Sequence, residues 1–304
     1  MLRWRLLFPL ILLLNVAASA QLFPTPTPTP RPNSRQANLP PVMADGVNYD
    51  RLKSIEMMGQ NKRATDHPLL DPKKGIYRRP SREDVEILSV SEGMLAQHAA
   101  FLRLPNTGIV KLNADSSCIS ETDVIVASEN CIVFNIPGAG TAYSFRAETY
   151  RIPRLADIIL FDGSFMTGGV FQQVIMADIG DLAIDGLTLE SKEMKYLVEL
   201  KPVRDNAEFM KFNDVIVKGV LANGFLYRKS HPVRDSAAFV LRSIAYRGQY
   251  IRTIEGVQYD ELDFDKRRDV IVAFRVVETD SKGNITLLWR RFRDVEAPRL
   301  RILK

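Results

Sequence analysis

The sequence predicts an α+β domain that is mainly β: an antiparallel sheet, sandwich- or barrel-like, with one or two short helices. Three observations carry this. After residue 105 the chain is a succession of short β-branched and aromatic runs bounded by Gly, Pro, Asn and Asp. The last pair of runs alternates: Val270, Val272, Phe274 and Val276 lead into the polar turn Asp280-Ser281-Lys282-Gly283, and Ile285, Leu287 and Trp289 lead back, a hairpin with one buried face. Before these runs, one stretch keeps a clear helical period, with Met94, Leu95, His98, Phe101 and Leu102 on one face, Ser91 placed to cap it and Pro105 to end it.

In chain order, Arg3 and Arg5 precede an apolar run from Leu6 to Leu14, and Ala18-Ser19-Ala20 supplies the small residues a signal peptidase requires. Residues 1–20 therefore read as a secretory signal cut between Ala20 and Gln21. The run is well short of the roughly 20 residues that span a bilayer and contains Pro9. Nothing after it approaches such a length, so no transmembrane segment is expected once the signal is removed. The absence of a cysteine near the cut excludes a lipid-modified N-terminus. The expected location is secreted, either periplasmic or extracellular.

Residues 21–80 read as a stiff, solvated linker. Pro24, Pro26, Pro28, Pro30 and Pro32 alternate with Thr25, Thr27, Thr29 and Arg31, which removes half the backbone donors and favours extended polyproline geometry. Leu52, Ile55 and Met58 have the spacing of a short helix over 48–62. Pro68, Pro72 and Pro80 place the start of the globular domain at 81, and it extends to 304.

Strands are expected over Thr107 to Leu112, Asp123 to Ala127, Cys131 to Ile136, Thr141 to Ala147, Asp157 to Phe161 and Gly169 to Ala177. Further candidates are Leu187 to Leu189, Tyr196 to Leu200, Asp214 to Val220, Gly224 to Tyr227, Ala237 to Tyr246, Asp269 to Val277 and Asn284 to Phe292. Pro202-Val203-Arg204-Asp205 recurs as Pro232-Val233-Arg234-Asp235, which suggests either two similar turn-strand units or a chance likeness of two proline turns.

Charge and cysteine content bound the chemistry. Losing Arg3 and Arg5 leaves 39 basic residues against 36 acidic ones, too small an excess to indicate nucleic-acid binding. In an exported chain the two cysteines, Cys118 and Cys131, are expected to form one disulfide, which closes a loop of about 14 residues for roughly 3 kcal/mol. With no histidine nearby they do not make a zinc tetrad, and no metal or cofactor is expected.

No catalytic set stands out. Of the three histidines, His67 falls in the linker, His98 reads as a satisfied core residue, and His231, before Pro232, reads as solvated. Gly163-Ser164 with Gly168-Gly169 lacks the spacing of a nucleophile elbow and fits a loop between strands. Phosphate-cradling glycine motifs are missing. Asp260, Glu261, Asp263 and Asp265 could present oxygens to calcium, but the stretch lacks the glycine and distal Glu of an EF-hand and runs into Lys266-Arg267-Arg268, so it reads as a solvated charged turn. Arg290, Arg291, Arg293, Arg299, Arg301 and Lys304 could meet an anionic surface; the plainer account is a solvated edge strand.

Parts of the domain resemble a group of bacterial exported proteins without an assigned activity. The residues that carry the likeness are Phe101-Leu102, Asn106-Thr107-Gly108-Ile109, Leu112, Ala142-Tyr143-Ser144-Phe145, Gly180-Asp181, Leu187-Thr188-Leu189, Leu241-Arg242-Ser243-Ile244, 269–277 and Leu287-Leu288-Trp289. The resemblance spans about 101–290, implies one domain and transfers no catalytic residue. The expectation is a non-catalytic envelope or extracellular module that binds an envelope protein, a glycan or an anionic surface. The alternative is a secreted hydrolase whose carboxylate pair meets only in the fold.

Overall fold

The computed structural model describes residues 82–121, 124, 131, 136–254 and 257–301. The expected signal with its Ala20–Gln21 cut, the linker, the helix over 48–62, His67 and Lys304 lie outside the described residues. So do the strands expected over 123–127 and 131–136, apart from Val124, Cys131 and Ile136.

A seven-stranded antiparallel sheet forms the centre. It runs in the order β1 (Thr107–Leu112), β14 (Ile285–Glu296), β13 (Arg268–Thr279), β10 (Ala238–Ala245), β6 (Gln172–Gly180), β8 (Phe225–Arg228), β7 (Val220–Ala222). A smaller sheet has the order β3 (Thr149–Tyr150), β2 (Ala142–Ser144), β4 (Ile158–Phe161), β5 (Ser164–Met166), β9 (Ser230–Pro232). β11 (Ile251–Ile254) and β12 (Val257–Asp260) make a separate hairpin. The helices are α1 (Arg82–Leu88), α2 (Glu92–Gln97), α3 (Ala99–Leu102), α4 (Lys192–Glu199) and α5 (Asn206–Lys218).

The expected antiparallel, mainly β architecture is what the chain adopts, with a core on each face of the large sheet. On one face Val272, Phe274, Phe239, Leu241 and Leu287 meet Ile158, Leu160 and Phe165 of the small sheet and Phe145, just after β2. Phe239 stacks on Phe274 at 5.1 Å, and Phe165 stands edge-on to both at 5.3 Å, the offset and T-shaped geometries aromatic quadrupoles favour. On the other face Ile175, Val240, Ile271 and Ala273 pack under Met194 and Leu197 of α4 and Ile216 of α5. Covered on both sides, β10 is buried at every position, so its sequence reads as a continuous run without alternation.

Several expected elements differ. Tyr196 to Leu200 lies largely in α4, Asp214 to Val220 falls mostly in α5, and Leu187 to Leu189 forms no strand. The β-branched residues that suggest strands here are overridden by packing against the sheet and, in α5, by a cap: Asp205 Oδ1 accepts from Glu208 N at 2.9 Å, and Glu208 Oε2 accepts from Arg204 N at 2.9 Å. The two proline motifs are therefore not equivalent, because the first caps a helix and the second joins β9 to β10. Ser91 does cap its helix, accepting from Met94 N at 3.2 Å, but the helix breaks at His98 into α2 and α3.

Candidate functional site

Three connections converge at one place on the sandwich. The β4–β5 link is Asp162-Gly163, both with positive φ (47° and 64°), the two-residue hairpin turn in which glycine avoids the left-handed penalty. The β9–β10 connector is held to it by a hydrogen bond from Val233 N to the Gly163 carbonyl at 2.8 Å. The β13–β14 turn is locked by Asp280, whose carboxylate accepts from Lys282 N, Asn284 N and Lys111 Nζ at 2.9–3.0 Å. Partial burial works against that charge, but the donors outweigh it and pull Asp280 down to about 2.

Between these connections lies an open cleft of about 810 Å³, lined by Ala114, Ser116, Leu160, Phe161, Asp162, Gly163, Val233, Arg234, Asp235, Thr279, Gly283 and Ile285. Phe161 is 38% exposed although it is a large apolar residue on a strand. Asp235 Oδ1 accepts from Thr279 Oγ1 at 2.6 Å, which orients the carboxylate. Arg234 is committed elsewhere, donating from Nε and Nη2 to both oxygens of Asp178 at 2.7–3.1 Å. The lining thus offers two carboxylates, two hydroxyls and an aromatic ring; among the described residues it contains no histidine, lysine or cysteine.

Most residues singled out for chemistry in the sequence lie outside the lining of this cleft. Gly163 lines it, and Gly168-Gly169 sit in the β5–β6 loop. His231 is not solvated: it is buried in β9, and its Nε2 donates to the Met176 carbonyl at 3.0 Å, while burial first and foremost lowers its pKa. His98 is not satisfied either, since among the described residues its buried Nε2 has no hydrogen-bond partner. The acidic run is no solvated turn. Asp260 accepts from Tyr250 N and Leu262 N, and Glu261 is buried between Arg154 and Arg252, both at 3.2 Å. Asp263 is exposed, and the Asp265 carboxylate is fully buried against Arg146 (2.8 Å) and Arg267 (2.7 Å). Asp260, Glu261 and Asp265 are committed to arginines and backbone amides, not gathered around a cation.

The Asp265 environment belongs to a buried network that sequence reasoning missed. Arg146 donates to Asp157 and Asp265, Ser243 Oγ donates to Asp157 Oδ1 at 2.5 Å, and Gln172 Nε2 bridges Asp157 and Ser243 at 2.9 Å each. Two guanidiniums, Arg146 and Arg267, balance two carboxylates; burial pushes Arg267 down to about 10 against the pull of Asp265. Closed to solvent, this network is structural.

In the basic tail Arg290 still lies between β1 and β13, whereas from Arg291 to Glu296 β14 ladders with β13 alone among the described residues, and Arg299 and Arg301 form isolated bridges with Arg247 and Asp205. Arg291 pairs with Glu148 and Asp294, Arg293 approaches Asp269, and Arg290 lies over the Phe292 ring. Cys118 and Cys131 are buried with their sulfurs at disulfide distance and their Cα atoms 5.4 Å apart. Glu121 lies beside them, but sulfurs so joined offer no thiolate to a metal. Among the described residues no helix is long and apolar enough to cross a membrane. Neither a family model, nor a curated protein, nor a solved structure matches the chain, and its function has to be inferred from the cleft itself.

Proposed function

We propose that this is an exported, non-catalytic binding module that takes a hydroxyl-rich ligand, a glycan of the cell envelope or its surroundings, in the open cleft. The observation that carries this reading is Phe161, an exposed ring that lines one cleft with Asp162, Asp235 and Thr279. Sugar rings present apolar C–H faces that stack on aromatic rings and hydroxyls that donate to carboxylates. The leader and the cysteine pair at disulfide distance support a secreted location, since cystines persist in oxidising compartments.

Calorimetric titration of the full chain with chito-oligosaccharide, cello-oligosaccharide and soluble peptidoglycan fragments tests the proposal. One glycan class is expected to bind, with Phe161→Ala and Asp235→Ala each weakening it about tenfold, roughly the 1.4 kcal/mol of one lost contact. Equal binding by both variants, or no binding of any class, refutes it.

One observation favours a second reading as a hydrolase: Asp162 and Asp235 reach the same cleft from different connections. That reading predicts shortened oligosaccharides in the mixture, detected by mass spectrometry. Asp162→Asn or Asp235→Asn would then abolish turnover while leaving binding in place.

A further inference from the structure

We propose a second site, independent of the cleft: a cavity between the α2–α3 break and the large sheet that binds an alkyl or aryl carboxylate, its oxygens held by His98 and Arg275. The cavity measures about 400 Å³, and its walls include His98, Phe101, Ile184, Arg275, Val277 and Leu288. It lies on the helix-covered face of the sheet, opposite the small sheet.

Two features of its lining call for an anion. The break between α2 and α3 puts His98 at φ −103°, ψ 13°, and leaves its Nε2 buried without a hydrogen-bond partner. Buried polar atoms are almost always paired, so an orphaned imidazole nitrogen on a residue that lines a cavity marks a place for a ligand atom. Arg275 is anchored through Nε, which donates to the Ser236 carbonyl at 3.0 Å. No carboxylate forms an ion pair with it among the described residues, so its Nη groups remain available as donors.

The two groups also repel. Burial and then the Arg275 charge hold His98 below its ordinary pKa. An anion between them reverses that repulsion and pairs both donors at once. Asp185 also lines the cavity, but it is exposed, and its Oδ1 accepts from Gly186 N at 3.1 Å.

The walls decide which anion. Phe101, Ile184, Val277 and Leu288 are apolar and suit a hydrocarbon body, which an inorganic ion lacks. An organic acid with a short apolar tail satisfies both the donors and the walls.

Nuclear magnetic resonance titration of the full chain, following the His98 and His231 ring signals, tests the site with sodium hexanoate, hexan-1-ol and inorganic phosphate as probes. Hexanoate is expected to shift the His98 signals saturably and to leave His231 unmoved, and hexan-1-ol to have no effect. In Arg275→Gln the hexanoate affinity should fall about tenfold, one lost charged contact, with unchanged His231 signals reporting an intact fold. A hexanoate series that leaves His98 unmoved, or an equal response to hexan-1-ol, overturns the proposal, and both measurements use the unmodified chain. Undiminished affinity in a folded Arg275→Gln also overturns it. Phosphate binding as tightly as hexanoate overturns the assignment to an organic carboxylate.

Discussion

Gly108 on β1 lies directly opposite Trp289 on β14, and the indole fills the space a side chain at 108 would need: a Cβ there would sit 2.5 Å from Trp289 Cζ2. The same ring packs against Phe145 at 5.8 Å and Tyr143 at 6.5 Å. A glycine in a strand, costly for the backbone, is here compensated by an aromatic partner across the ladder.

Gly108→Ala should therefore push the indole out of its seat and cost about 1–3 kcal/mol, the usual penalty of overpacking. Trp4 and Trp289 are the chain's two tryptophans, so after cleavage at Ala20 all indole emission would come from Trp289. A lowered urea midpoint with red-shifted emission is the expected result.

Arg242 reaches from β10 to the underside of α4. It donates to both oxygens of Asp269 at 2.7 and 2.9 Å and to the carbonyls of Leu197 and Leu200 at 2.6 Å each, closing the helix C-terminus with a positive charge. The pair is 1% and 2% exposed. Arg242→Met leaves a buried carboxylate without its main partner and should cost about 3–5 kcal/mol. Arg242→Met with Asp269→Leu should recover much of that loss in the same denaturation experiment.

Stability should fall as pH drops below about 6.5. Burial lowers the folded pKa of His231, with the Arg228 charge acting in the same direction and the Met176 and Leu226 backbone and Asp178 opposing. The unfolded chain then binds more protons in this range, so stability is lost as the pH falls. The slope reaches at most about 1.4 kcal/mol per pH unit for each such imidazole, and His98 is shifted in the same direction. Urea midpoints at pH 7.5 and 5.5 should show the decline, with His231→Gln flattening it.

Replacing Cys118 and Cys131 together by alanine should lower stability by roughly 3 kcal/mol if the pair is a cystine closing its 13-residue separation. Mass spectrometry of non-reduced peptides should find the two cysteines linked.

The C-terminal hairpin was legible because its alternation and its Asp280–Gly283 turn are both local signals. β10 was legible as an apolar run of strand length. α4 and α5 were not, since Tyr196, Val215 and Val217 are strand formers; the helices are set by Met194, Leu197 and Ile216, which pack on the sheet, and by the cap at Asp205, while Val215 and Val217 stay exposed. The Asp205-to-Glu208 spacing was the available clue, and Asn223-Gly224, with φ of 52° and 84°, marked the β7–β8 hairpin just beyond α5. The cleft was hidden for a different reason. Asp162, Asp235 and Thr279 each read as ordinary turn or strand-end residues and come to line one cleft only when three connections meet. Likewise Asp265 looked solvated because its partner Arg146 is 119 residues away.

Among the described residues β1 bonds on one side only, to β14, and the nearby contact from Ala114 N to Asn284 Oδ1 joins residues 170 apart in sequence. The ladder that holds the first strand of the sheet therefore needs the final hairpin, a pairing of high sequence separation whose loop-closure cost has to be met before it forms. A nascent chain ending before residue 285 keeps an orphaned strand and an open core.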